Sequence, residues 1–269
     1  MRFTTLAALA VALFAGAAGA SPLLHSDSST GNLNSIDRGL VTITNGGNVS
    51  TIGPLGGGFT AVGLAYDPTG NVVYGVDAAN DLLLTIDRNT GAASAIGGLG
   101  VDIADGGLAW DSSTGTLYLS STSLFQVNTS TGSASAIGAG YGVLALNGLA
   151  YDPTRDQLVG VEDTTGVDSR LWSISRTSGL PSSLGTLGVP VTGAGLAYDP
   201  TQDVFWITDD EIGVSDNFYV APGGGGSATR IGGLSQQTGN GGLTFVPEPG
   251  TGLLLLVGLG GLGARRRRR

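Results

Sequence analysis

One phrase, Gly-Leu-Ala-aromatic-Asp, returns along the chain and constrains the fold more than any other feature. It stands at Gly63–Asp67, Gly107–Asp111, Gly148–Asp152 and Gly195–Asp199, with a degenerate fifth copy at Leu243-Thr244-Phe245. From leucine to leucine the spacings are 44, 41, 47 and 47 residues. A repeat of that length built from short β runs has the period of a four-stranded propeller blade. Such a unit cannot bury its own apolar face, so its copies must pack on one another.

Punctuation inside each copy repeats as well. The first strand ends in Asp-Pro-Thr or Asp-Ser-Ser, where proline presets the second position of a turn. A second strand follows, such as Val72–Val76 or Val204–Thr208, and then a loop carrying acids. The third, such as Leu82–Ile86, ends in a Thr-Gly or Ser-Gly turn (Thr90-Gly91, Thr131-Gly132, Ser178-Gly179). A fourth short strand, Ala93–Ile96 or Ser135–Ile137, closes the unit in glycines. Short β runs separated by turn signals predict an all-β array.

The ends of the array predict how it closes. Leu33–Asp37 reads as a second strand, Leu40–Thr44 as a third and Val49–Ile52 as a fourth, in a blade that lacks its first. Leu243–Val246 is a first strand with nothing after it. The C-terminal strand is therefore expected to complete the N-terminal blade, giving a five-bladed β-propeller. Closure removes the strand edges that an open solenoid would expose, and no polar capping unit for a solenoid is found.

Composition removes several alternatives. Glycine supplies 48 of 269 residues, but no Gly-X-Y period exists and proline is ordinary at 10, which excludes collagen. With 41% hydrophobic and 12% charged residues, charge-driven disorder is excluded too. The absence of cysteine rules out disulfides, thiolate metal sites and a cysteine nucleophile. All twelve basic residues are arginine, so Schiff-base chemistry and a P-loop lysine are also ruled out.

The chain divides into residues 1–20, 21–246 and 247–269. Arg2, the apolar run Leu6–Phe14 and Ala18-Gly19-Ala20 read as a secretory signal peptide. At the other end Pro247-Glu248-Pro249 precedes an apolar run, Leu253–Leu262, and then Arg265–Arg269. That order resembles the PEP-CTERM sorting signal of Gram-negative bacteria. The resemblance implies recognition by an exosortase-type processing enzyme and delivery to the cell envelope or extracellular matrix. As a helix, Gly250–Ala264 reaches only ~22 Å against a ~30 Å hydrocarbon core, which suits transient anchoring in the inner membrane better than a permanent span. The repeat itself is similar to bacterial secreted propellers, with Asp87-Arg88-Asn89-Thr90-Gly91 as its best turn. That likeness implies fold, not activity.

Between the two ends, six arginines face twenty acidic residues, a net charge of −14. Such a domain disfavours nucleic acid and anionic lipid, and favours cations or neutral polymers. Large aromatics at equivalent positions (Tyr66, Trp110, Tyr151, Tyr198, Phe245) are expected to pack blade on blade. Asp67, Asp111, Asp152 and Asp199 are expected to anchor turns. The loops after the second strands hold Asp77 and Asp81, then Glu162, Asp163 and Asp168, then Asp209, Asp210, Glu211 and Asp216. In a propeller these loops share one face, where they suit a hard cation such as calcium. No D-x-[DN]-x-[DN]-G loop is present, so no cofactor is assigned. An enzyme would need a carboxylate pair, drawn from Glu162, Glu211, Asp163 and Asp210, and a glycosidase is the alternative function. The lone His25 falls in the polar leader before the first strand, which argues against a Ser-His-Asp site. The favoured function is a non-catalytic binding or structural module for extracellular polysaccharide or a surface protein.

Overall fold

The structure, a computed structural model, describes residues 23–37, 48–142, 144–210, 217–234 and 241–247. Those residues form twenty strands and no helix. The chain opens with β1 (Leu23–Asp27), β2 (Asn32–Asp37) and β3 (Asn48–Pro54). A second blade is β4 (Ala61–Asp67), β5 (Val72–Asp77), β6 (Leu82–Ile86) and β7 (Ala93–Gly98). The third is β8 (Gly107–Asp111), β9 (Thr116–Ser120), β10 (Leu124–Val127) and β11 (Ala134–Ile137). The fourth comprises β12 (Leu146–Asp152), β13 (Gln157–Glu162), β14 (Arg170–Ile174) and β15 (Pro181–Thr186). The fifth comprises β16 (Gly195–Asp199), β17 (Val204–Asp209), β18 (Asn217–Pro222) and β19 (Thr229–Gly233). The last strand, β20 (Leu243–Phe245), pairs antiparallel with β1 and makes the N-terminal sheet four-stranded in the order β20-β1-β2-β3. Five blades result, and the C-terminal strand closes the ring as expected.

One turn type explains most of the strand boundaries. In Asp111–Gly115 the Asp111 Oδ1 accepts the backbone N–H of Ser113 at 2.8 Å and of Thr114 at 3.2 Å. Gly115 N–H then returns to the Asp111 carbonyl at 2.8 Å, with φ at +66°. Asp27–Gly31 and Asp87–Gly91 repeat this arrangement. Where the fifth residue is Asn71, Asp156 or Asp203, φ is also positive, a conformation that Asn and Asp tolerate better than other side chains. The aspartates of the repeat are therefore turn anchors.

A glycine directly before the plug leucine of each inner strand (Gly63, Gly107, Gly148, Gly195 and Gly242) brings the five strands together. A Cβ on Gly107 would lie 2.3 Å from the backbone nitrogen of Leu149, so only glycine lets β8 approach β12 so closely. The inner strands contact one another in sequence, β20 to β4, β8, β12, β16 and back to β20. Leu64, Leu108, Leu149, Leu196 and Leu243 fill the axis, and the space among them admits no water molecule. At the outer rim a Cβ on Gly97 would meet the Thr131 carbonyl oxygen at 2.2 Å, so the Thr-Gly turn of one blade nests on the outer strand of its neighbour.

Between successive blades lie five apolar clusters. Each repeat aromatic belongs to one of them, as expected. Tyr74 stacks on Trp110 of the next blade at 6.0 Å, and the Tyr198 hydroxyl donates to Thr154 Oγ1 of the preceding blade at 3.0 Å. Arginines cross the same seams. Arg155 joins Asp152 at 2.9 Å to Asp203 at 2.6 Å, and Arg176 joins Asp111 to Asp156. Burial pushes the Asp111 carboxyl up, but bonds from Ser113, Arg176 and Thr114 bring it down to about 2.

The N-terminal blade differs from the sequence expectation in its frame. Leu23–Asp27 is its second strand, and Asn32–Asp37 is the third where a second was expected; β3 keeps its place as the fourth. Leu40–Thr44, the expected third strand, lies outside the described residues, as do the leader 1–20 and the tail from 248 onward. His25 is thus no leader residue. It sits inside β1, fully buried, opposite Asn34 on β2 and Leu243 on β20. Neither ring nitrogen has a hydrogen-bond partner, nor does the adjacent Asn34 Oδ1. Burial lowers the His25 pKa to about 4, with Asp27 acting in the opposite direction.

Candidate functional site: the acidic end of the ring

Because every blade is an antiparallel meander, the loops after the second strands share one end of the ring with the links between blades. Side-chain bonds tie the two together there. Asp81 Oδ1 accepts the Ile103 N–H from the following link at 3.0 Å. Asp209 Oδ1 accepts the Thr192 N–H at 2.8 Å. Asp77, fully buried, accepts the Ala79 N–H at 3.0 Å and the Asn80 amide at 2.8 Å. These three carboxylates hold loops in place.

Four of the expected residues remain near solvent. Asp168 is exposed, while Glu162, Asp163 and Asp210 are half-buried. Glu162 Oε2 accepts the Trp172 indole N–H at 3.3 Å. Glu211 and Asp216 lie outside the described residues. The described ones are brought to one end on three loops, Asp77 with Asp81, Glu162 and Asp163 with Asp168, and Asp209 with Asp210. Among the described residues no three His, Cys, Asp or Glu side chains are placed to hold one metal ion.

A closer constellation involves a residue that sequence reasoning missed. The Asn147 amide donates to Asp105 Oδ2 at 2.9 Å and to Asp163 Oδ2 at 2.7 Å, so two carboxylates share one amide. Gly193 N–H adds a bond to the same Asp163 oxygen at 3.2 Å. Burial raises the Asp105 carboxyl to about 6; the Gly106 N–H lowers it, and the neighbouring Asp163 raises it further. Asp105 and Asp163 stand 58 positions apart, and Asn147 heads β12 at a different point of its repeat. No local motif links them. The only signal was topological: a link before one inner strand, the start of the next and the loop after its partner meet around the axis.

The opposite end is shaped differently. Tyr66, Trp110, Tyr151, Tyr198 and Phe245 surround a shallow funnel of about 90 Å³ below the leucine plug. Arg88 lies over the Tyr66 ring at 5.9 Å and Arg176 over Tyr151 at 5.8 Å. The chain leaves the ring at this end, through buried Val246 and exposed Pro247.

Comparison with known proteins bears on the fold and on the tail. A chain in the crystal structure of a nidogen/laminin complex superposes with a TM-score of 0.57 at 16% identity, over 84% of this chain and 82% of that one. A structural-genomics protein of unknown function from Bacteroides thetaiotaomicron superposes at 0.53 and 16% identity, over 84% and 62%. A gluconolactonase from Xanthomonas campestris is more distant, at 0.45 and 13% identity, over 64% and 62%. The first two likenesses concern the fold alone. No curated protein sequence matches the chain. Residues 245–269 match the PEP-CTERM protein-sorting motif, beginning at the last residue of β20. The chain is a five-bladed β-propeller that ends in a PEP-CTERM sorting signal, which implies export and processing by an exosortase.

Proposed function

We propose that this protein is a non-catalytic binding module of the cell surface or extracellular matrix, which engages a neutral or cation-bridged polymer through its acidic end. The observation that carries the reading is an axis closed to water, with solvent-facing carboxylates on short loops around it. A plugged axis offers no deep cleft for a substrate, whereas a ring of loops on a rigid scaffold suits recognition. A hard divalent cation would take carboxylate oxygens from Asp168 and Asp210 together with oxygens of the polymer.

Co-sedimentation of residues 21–247 with the producing organism's own extracellular polysaccharide, first with calcium and then with a chelator, tests this. Pelleting that the chelator abolishes is the expected result. Failure to pellet in either condition would remove the polymer from the proposal and leave a protein ligand to be sought.

The Asp105–Asn147–Asp163 arrangement favours a second reading, acid–base chemistry on a glycan. One carboxyl raised to about 6 beside another carboxylate is the polarity such a pair needs. Turnover of the polysaccharide by the wild type that disappears in Asp105→Asn would carry that reading. Absence of turnover in the wild type would end it.

A further inference from the structure

The two ends of the ring differ in charge as well as in shape. Among residues whose side chains are described, the acidic end carries ten acids and one arginine, Arg170. The funnel end carries seven acids and four arginines, three of which (Arg88, Arg155, Arg176) sit on its turns. The tail departs from the funnel end, on the axis, because β20 is an innermost strand and runs toward that end. The sorting match starts at Phe245, so the strand that closes the ring and the signal are contiguous.

Covalent geometry limits how far the ring can stand from the bilayer. From Phe245 to Leu253, where the apolar run begins, a fully extended chain reaches about 26–29 Å. Inner strands of five to seven residues, as in β16 and β4, separate the two ends of the ring by roughly 17–23 Å. The axis is plugged, so a tether leaving it at the funnel end would have to cross the four strands of a blade, about 14 Å, and then run the height of the ring to meet a bilayer at the acidic end. That path of roughly 31–37 Å exceeds the tether's reach, whereas the funnel end lies within it. Charge acts in the same direction, since the more acidic end is repelled more strongly by anionic headgroups.

We propose that the ring is mounted on the membrane by its funnel end, with the arginine-bearing turns against the lipid headgroups and the acidic end presented outward. This deepens the binding-module reading and rests on the tail acting as a membrane-held sorting signal. It also fixes an order of events. The ring closes only after residues 243–245 have crossed the membrane, and processing beyond Pro247 releases a ring that is already complete.

The chain has no cysteine, so single labelling sites are readily introduced. Ser112 is exposed on a funnel-end turn, and Val167, 62% exposed, lies on an acidic-end loop. Full chains carrying Ser112→Cys or Val167→Cys, each labelled with a donor dye, would be inserted into phosphatidylethanolamine–phosphatidylglycerol vesicles bearing a headgroup acceptor. The mounting predicts strong energy transfer from position 112 and a marked loss of transfer from position 167. Equal transfer, or more from 167, in chains that float with the vesicles overturns the mounting alone. Chains that do not float with the vesicles overturn the tether reading, and the mounting with it.

Discussion

Removing β20 is the perturbation that exposes the logic of closure. Leu243, Phe245 and Val246 are 2%, 9% and 4% exposed, and they belong to the two clusters that flank the N-terminal blade. Truncating a buried leucine or phenylalanine costs roughly 3 kcal/mol each, and a valine about 2. The strand therefore contributes on the order of 8 kcal/mol, before counting the β1 edge that its loss uncovers. Domain stabilities are only about 5–15 kcal/mol, so residues 21–242 should show no cooperative melt where residues 21–247 do. Leu243→Ala is the graded version, losing about 3 kcal/mol and lowering the melting temperature by roughly 6–12 °C for a domain of this size. Thermal unfolding followed by circular dichroism reads both, and a synthetic peptide of residues 241–247 added to the truncated chain should restore a transition. If residues 21–242 melt within ~2 °C of the longer chain, the array is open and the argument fails.

The buried His25 predicts a pH effect with a definite sign. Its folded pKa is lowered to about 4, so the ring favours the neutral imidazole, and stability is present above the unfolded pKa of 6.5 and lost as pH falls below it. At pH 5 the loss is on the order of 2 kcal/mol. Asp105, raised to about 6, acts oppositely: its contribution is present at low pH and is lost as pH rises through 6. The check is therefore a difference: His25→Leu should melt higher than wild type at pH 5, by more than at pH 7.5, and a pH-independent difference would contradict this account. Gly107→Ala places a Cβ 2.3 Å from the Leu149 nitrogen and should lose about 1–3 kcal/mol in urea titration, whereas Gly98→Ala, with nothing within 4 Å, should change stability by less than ~0.5 kcal/mol. Arg176→Ala leaves the fully buried Asp111 with fewer partners and should lower the melting temperature most between pH 4 and 8, where that carboxylate is charged.

Much of the fold was legible because one constraint recurs. Glycine at the axis, leucine in the plug, an aromatic in the seam and aspartate in the turn answer four different physical needs; four blades repeat all of them, and β20 of the N-terminal blade keeps all but the aspartate. The first blade is harder to frame because β1 does not look apolar: His25, Ser26 and Asp27 are all buried within it. Its turn nevertheless spells Asp27-Ser28-Ser29-Thr30-Gly31, residue for residue the same as Asp111–Gly115, and this was the signal that a strand precedes it. The acidic loops could be placed on one end from topology, but not which carboxylates were free. Asp77 and Asp209 are consumed by backbone N–H groups, a role that depends on how neighbouring loops fold over them. Asp105 gains its raised pKa first from burial and then from the neighbouring Asp163, surroundings that exist only when the ring is complete.

Fractionating the producing cells tests the central claim, that a ring closed by β20 is delivered to the surface by the tail directly behind it. Full-length protein and a version ending at Val246 would be compared, since the deletion spares the closing strand. The account predicts that both fold, that full-length protein reaches the envelope or matrix fraction with its tail removed, and that the shortened version stays in the soluble exported fraction. Equal distribution of two folded forms would contradict it.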